Sequence, residues 1–132
     1  MNVLFADSYY WFALANPRDA RHAAAKRYAG IAAKLVTTAW VVTELADGFC
    51  KVANRPAFLQ LVRLVRSDPF HEVVPADQSL MDEGLALYMA RPDKDWSLTD
   101  WISFVVMQEQ GVTDARTADH HFEQAGFTAP LR

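Results

Sequence analysis

The chain is poor in the residues that build several familiar sites. It has one cysteine, Cys50, which excludes an internal disulfide framework and fits a reducing compartment. No apolar run approaches the roughly 18 to 20 residues needed to span a bilayer, and Met1-Asn2-Val3 carries no basic leader segment. A cytoplasmic protein without a membrane partner is therefore expected. There is no glycine-rich phosphate loop and no repeat or low-complexity linker. Positive charge is also scarce, with a formal net charge of -3. That argues against binding nucleic acid by bulk charge, but not against reaching phosphates through metal ions and a local basic patch.

What is present is the composition of an ordinary globular protein. Its 132 residues are 52% hydrophobic and 22% charged, enough for one domain over 1–132 with a real core. Val3-Leu4-Phe5-Ala6 is a short apolar run ending at Asp7, the pattern of a buried parallel strand. An apolar and aromatic helix follows to Asn16-Pro17, and an alanine-rich amphipathic helix is expected over 18–33. Residues 34–37 suit a second strand. A helix capped by Thr37 or Thr38 then runs through Asn54, weakened by Gly48, and Pro56 opens the next. Residues 70–74 read as a third strand, 76–91 as a helix, and 92–95 as a loop. Residues 97–110 form a helix ended by Gly111, apolar nearly all round after Asp100. Residues 113–118 read as the last strand and 119–125 as a short helix. This alternation predicts an α/β fold, a three-layer α/β/α sandwich on a central parallel sheet of four to five strands.

Ligands in such sheets bind outside the carboxyl ends of the strands. Asp7 follows the first strand and Asp119 the last, while Asp100 opens the buried helix and Glu44 lies about two turns into another. Taken singly, Asp7 and Asp119 can be helix caps and Glu44 a surface residue. Ser97-Leu98-Thr99-Asp100 fits a capping box. Jointly they point to one site. Two carboxylates ~4 Å apart repel by about 4 kcal/mol at an effective dielectric near 20, so four together need a cation or must bind protons. Oxygen donors without cysteine or paired histidine select Mg²⁺ or Mn²⁺. Such a site activates water and stabilises charge on phosphoryl oxygens, which suggests metal-assisted phosphodiester hydrolysis.

Several stretches carry a family resemblance. They are Phe5-Ala6-Asp7-Ser8, Thr37-Thr38 with Val42-Thr43-Glu44-Leu45, Asp95-Trp96-Ser97-Leu98-Thr99-Asp100, and Thr117-Ala118-Asp119-His120-His121-Phe122 through Gly126-Phe127. In this order they resemble the PIN-domain family, and within it the VapC-type ribonuclease toxins. The resemblance implies a Mg²⁺- or Mn²⁺-dependent endoribonuclease with Asp7 and Asp100 as principal metal ligands. Glu44 and Asp119 would complete the site and orient the attacking water. It also implies an RNA substrate, a cognate antitoxin of a type II toxin–antitoxin pair, and a homodimer. One position departs from the pattern: Arg116 stands where similar proteins usually carry an apolar residue. On a central strand it would be buried, unless it snorkels or meets an acid, and it bears on the placement of Asp119.

Other residues have two readings. Ser8, Thr99 and Thr117 can hydrogen-bond the acids or simply serve the backbone. Asp95 is a candidate outer acid. Lys51, Arg55, Arg63 and Arg66 can meet an RNA backbone or form a solvated face. His120 and His121 are candidate general acids, though neighbours on a helix point apart. Cys50 reads as a buried structural thiol, and the aromatic run 9–12 as core or as a partner surface. Two other functions compete. One is a Mg²⁺-binding receiver-type signalling module, for which Asp77 is a displaced phosphoacceptor candidate. The other is a PIN-like domain that binds RNA or a partner without cleaving, which Arg116 favours.

Overall fold

The computed structural model describes residues 2–131. The first apolar run forms β1 (Val3–Ala6), followed by α1 (Ser8–Ala15), α2 (His22–Ala29) and β2 (Lys34–Thr38). Then come α3 (Ala39–Gly48), a 3₁₀ turn over Val52–Asn54, α4 (Arg55–Ser67) and β3 (His71–Val74). The chain ends with α5 (Gln78–Ala90), α6 (Leu98–Gln110), β4 (Ala115–Arg116) and α7 (His120–Gln124). The four strands are parallel in the order β3-β2-β1-β4, with Phe5 beside both Val36 and Ala115. β1 to β3 step one way across the sheet and β4 returns to the far side of β1. Right-handed crossovers then put α1 to α4 on one face and α5 and α6 on the other. The packing agrees, since α1 lies against α2, α3 and α4, and α6 against α5 and α7.

The apolar helix behaves as its composition demands: every residue of α6 from Asp100 to Met107 is buried. Ser97 caps it, accepting from the Asp100 amide at 3.0 Å, and Gly111 ends it at φ 66°, where a side chain would be strained. Trp96, Trp101, Phe104 and Phe122 lock its outer side. Their ring centroids are 4.9 Å apart for Trp96–Trp101, 5.3 Å for Trp96–Phe104 and 4.9 Å for Phe104–Phe122. Such pairs contribute about 0.5–1.5 kcal/mol each beyond area burial. The helix is thus a rigid post for whatever its first turn presents.

Several expected boundaries move. The helix expected over 18–33 spans only His22–Ala29. Asn16 and Asp19 accept from the Arg18 and Arg21 amides (3.1 and 2.8 Å) and hold local turns before it. The helix expected through Asn54 stops at Gly48. There Phe12 packs so closely that a β-carbon would lie 2.3 Å from its ring. Cys50 lies beyond this break and is exposed, not buried; its carbonyl accepts from Arg55 Nε at 2.9 Å. The last strand shrinks from 113–118 to Ala115–Arg116 because Thr117 turns toward β1.

Arg116 is 2% exposed, yet it neither snorkels nor pairs with a carboxylate among the described residues. Its strand is an edge strand rather than a central one. The guanidinium lies against the faces of Tyr10 and Tyr28, 5.4 and 5.9 Å from the ring centroids, contacts worth about 0.5–2 kcal/mol each. Burying an unpaired cation costs several kcal/mol, so the rings offset only part of it. The backbone of β4 keeps its register all the same, with Ala6 beside Arg116, and Asp119 follows as the N-cap of α7.

α5 and α6 pack tightly at Gly84, where a β-carbon would lie 2.4 Å from Ile102 Cγ1 and 3.4 Å from the Ile102 amide nitrogen. Gly84→Val is expected to lower stability by about 1–3 kcal/mol through overpacking, read as a lower urea midpoint.

Candidate metal centre at the carboxyl edge of the sheet

Parallel strands deliver their carboxyl ends to one edge, and the four acids meet there. Asp7, Glu44, Asp100 and Asp119 line one open cavity of about 430 Å³ together with Ser8, Asp95 and His121. β1 delivers Asp7, α3 carries Glu44, the first turn of α6 holds Asp100, and the turn after β4 places Asp119.

Each carboxylate is tied to the protein through a named oxygen. Asp7, 3% exposed, accepts from Thr117 Oγ1 at 2.9 Å. It sits at the N-cap of α1 without a side-chain capping bond, so the capping alternative fails for this residue. Glu44 Oε1 accepts from Ser8 Oγ. Asp119 does cap α7, accepting from the His121 amide at 3.0 Å, while its own amide donates to Thr117 Oγ1 at 3.0 Å. Asp100 Oδ2 accepts from the Ser97 amide at 3.2 Å, completing the capping box. Capping and a place in the cavity coexist there; one does not displace the other.

The electrostatics show a site short of positive charge. Burial pushes the Asp7 carboxyl up to about 7; Asp100 and Glu44 add to the shift, while the Thr117 hydroxyl and the Ser8 amide oppose it. Burial also raises Glu44, helped by Asp100 and Asp119. Asp100 is raised by burial and by Asp119, against the His121 hydrogen bond. Tyr9, 53% exposed at the cavity wall, is raised first by burial and then by the acids. A donor set of convergent carboxylates, three of them pushed toward their protonated forms by each other and by burial, fits a divalent cation.

Sequence reasoning underrated His121. Its Nδ1 lies 3.0 Å from Asp100 Oδ2 and 3.4 Å from Asp119 Oδ1, and with the acids ionised Nδ1–H donates to them. Asp119, His120 and His121 each bring a donor atom within 4.8 Å of the others, so nitrogen donors stand beside the expected all-oxygen set. The signal was the His120-His121 pair itself. The helix starts at His120, so the one-face rule for neighbours is relaxed there. Ser8 and Thr117 touch the acids as expected, whereas Thr99 does not line the cavity and offers its carbonyl to Ser103 Oγ at 2.8 Å. Lys51, Arg55, Arg63 and Arg66 are exposed on the turn before α4 and on α4 itself, outside the cavity wall. Asp77 caps α5, accepting from the Leu80 amide at 2.7 Å, which removes the phosphoacceptor candidate of the receiver-type reading. Tyr10 and Trp11 are core, at 1% and 2% exposure.

Between the ordinary carboxylate value of 3.8 and about 7, the folded metal-free protein binds a proton at Asp7 that the unfolded chain has released. Its stability is therefore expected to fall as pH rises through that window. Asp7→Asn should flatten the slope, measured as urea midpoints at pH about 5 and about 8.

Comparison with known proteins bears on the family and the fold. The family model described as PIN domain matches residues 4–128. Two curated relatives, both named 23S rRNA-specific endonuclease VapC20, come from Mycobacterium tuberculosis strains CDC 1551 / Oshkosh and ATCC 25618 / H37Rv. Each is 30% identical over 132 residues, covering 95% of both chains. The crystal structure of Mycobacterium tuberculosis VapC20, described as a sarcin-ricin loop cleaving toxin, superposes with a TM-score of 0.85 at 26% identity. That match covers 95% of this chain and 96% of the other. The family model, the relatives and the fold agree: the chain belongs to the PIN-domain family.

Proposed function

We propose that this protein is a Mg²⁺- or Mn²⁺-dependent endoribonuclease, acting in the cytoplasm as the toxin of a type II toxin–antitoxin pair. The observation that carries the reading is the convergence of Asp7, Glu44, Asp100 and Asp119 on one open cavity, with burial and the neighbouring acids pushing Asp7 up to about 7. The names of the relatives support ribosomal RNA as the substrate class. A cognate antitoxin and a homodimer complete the assignment, and 1–132 acts as one domain.

A bound divalent ion supplies the charge that activates water and stabilises phosphoryl oxygens. Asp7 and Asp100, the most buried of the acids, would be its principal ligands. Glu44 and Asp119 complete the site and orient the attacking water from the rim. Thr117 fixes the direction of Asp7, Ser8 that of Glu44, and His121 with the Ser97 amide that of Asp100. Such outer contacts hold ligands in their productive orientation. On α4, Arg55, Arg63 and Arg66 lie within about 80° of one another at ~100° per residue. With Lys51 they offer phosphate contacts along an RNA backbone.

Purified protein is expected to cleave RNA with Mg²⁺ or Mn²⁺ and to stop with EDTA. Asp7→Asn and Asp100→Asn should each lose about a hundredfold or more; undiminished cleavage by both would sink the assignment. Thr117→Val should lose roughly 10–100-fold through misorientation of Asp7, read from initial rates at saturating metal. Millimolar Mn²⁺ should raise the melting temperature of the wild type more than that of Asp100→Asn. Equal shifts would mean the acids share no ion.

A further inference from the structure

A second cavity, of about 290 Å³, lies away from the carboxyl edge. Its wall is built from α1, the segment leading into β2 with Leu35, Leu64 of α4, the turn into β3 with His71, and Arg116. Two polar atoms there have no hydrogen-bond partner: Arg116 Nε and His71 Nδ1. The other guanidinium nitrogens make only long contacts, Nη1 donating to Tyr10 Oη at 3.3 Å and Nη2 to the Ile31 carbonyl at 3.4 Å. Both acceptors are neutral, so beyond the partial offset from the Tyr10 and Tyr28 rings the charge has no counter-charge.

The wall holds one carboxylate, Asp68, and it is engaged elsewhere. Its Oδ1 accepts from the Phe70 amide at 2.8 Å, and its Oδ2 lies 3.7 Å from His71 Nδ1. Around the mouth stand three large apolar side chains open to solvent: Ile31 at 55%, Leu64 at 48% and Phe70 at 51% exposure. A buried guanidinium behind an apolar rim suits a ligand with one charged end and one greasy end. Carboxylate is the matching head group, since it accepts side-on from a guanidinium fork. A phosphate brings further oxygens that the apolar walls cannot satisfy and a second charge that Asp68 repels.

We propose that this cavity binds a small carboxylate with an apolar tail. The carboxylate rests on Arg116 with His71 beside it, and the tail covers Ile31, Leu64 and Phe70. The site is independent of the nuclease reading, because no acid of the carboxyl edge lines it. The same chemistry can come from a free short-chain acid or from the terminal carboxylate of a polypeptide ending in an apolar residue.

The test follows arginine Nε–H resonances of the full-length protein at constant ionic strength, with Arg116 assigned by its loss in Arg116→Lys. Butyrate is expected to move the Arg116 resonance saturably and to bind roughly tenfold or more tighter than butyramide, its uncharged counterpart. Inorganic phosphate should leave it in place. A short N-acetylated peptide ending in leucine, compared with butyrate, tells which source binds tighter. An unmoved resonance with butyrate and with the peptide overturns the proposal. So do equal responses to butyrate, butyramide and phosphate, which would mean a cavity filled by water bridging to Asp68. Arg116→Met should lose the butyrate-induced rise in melting temperature, and retention of that rise would equally overturn it. Should that variant fail to fold, the wild-type titration decides alone.

Discussion

A carboxylate buried at the end of β1 is the constraint that the rest of this edge answers to. Asp7 is 3% exposed and has other acids as neighbours, so in the absence of a cation burial outweighs the Thr117 and Ser8 hydrogen bonds that favour its charge. The fold holds it by geometry. Its carbonyl accepts from the Tyr10 amide at 3.1 Å, its amide donates to the Arg116 carbonyl at 3.3 Å, and Thr117 binds its side chain. β1, α1 and β4 therefore meet in one residue. The protein spends local stability to keep anionic groups close, which is what a cation site requires before the cation arrives.

The helices serve the same end. α6 is apolar where most helices alternate, and its burial fixes the orientation of its first turn. Asp100 completes the capping box and also faces the cavity. A rigid helix end carries a ligand more accurately than a loop would. α7 repeats the device on a smaller scale, since Asp119 both caps it and lines the site. At Asp100 the helix N-terminus favours the negative charge that burial disfavours.

Much of this was legible in the residues. Apolar runs ending in Asp7 and in Thr37-Thr38 gave the strands, and the order of elements gave the parallel sheet. The shared edge of Asp7 and Asp119 followed from where parallel strands end, whereas Glu44 and Asp100 reach it only through the packing of α3 and α6. Less legible were features set by contacts distant in sequence. The break at Gly48 depends on Phe12, which no local pattern around Gly48 could reveal. Cys50 reads as buried by its chemistry, and only that break turns it outward. His121 enters the site because α7 begins one residue before it, a boundary that propensity does not fix. The turns at Asn16 and Asp19 are local and were readable, but the alanine-rich stretch after them outweighed them.

Arg116, the last residue of β4, and Thr117 just after it serve different ends of the molecule. Side chains alternate along a strand, so when Thr117 turns toward Asp7, Arg116 is directed the other way, under α1. A central strand would enclose that charge between two neighbours. At the edge beyond β1 it finds the faces of Tyr10 and Tyr28 and the wall of a cavity instead. Tolerance of the charge is thus a property of strand order. The acids gather at the edge because β4 pairs with β1, and on its other side the β4 segment meets only the short bridge between Asp114 and Thr128. The substitution that looked most damaging to the last acid instead acts on the far side of the sheet, while the backbone of β4 keeps Asp7 in place.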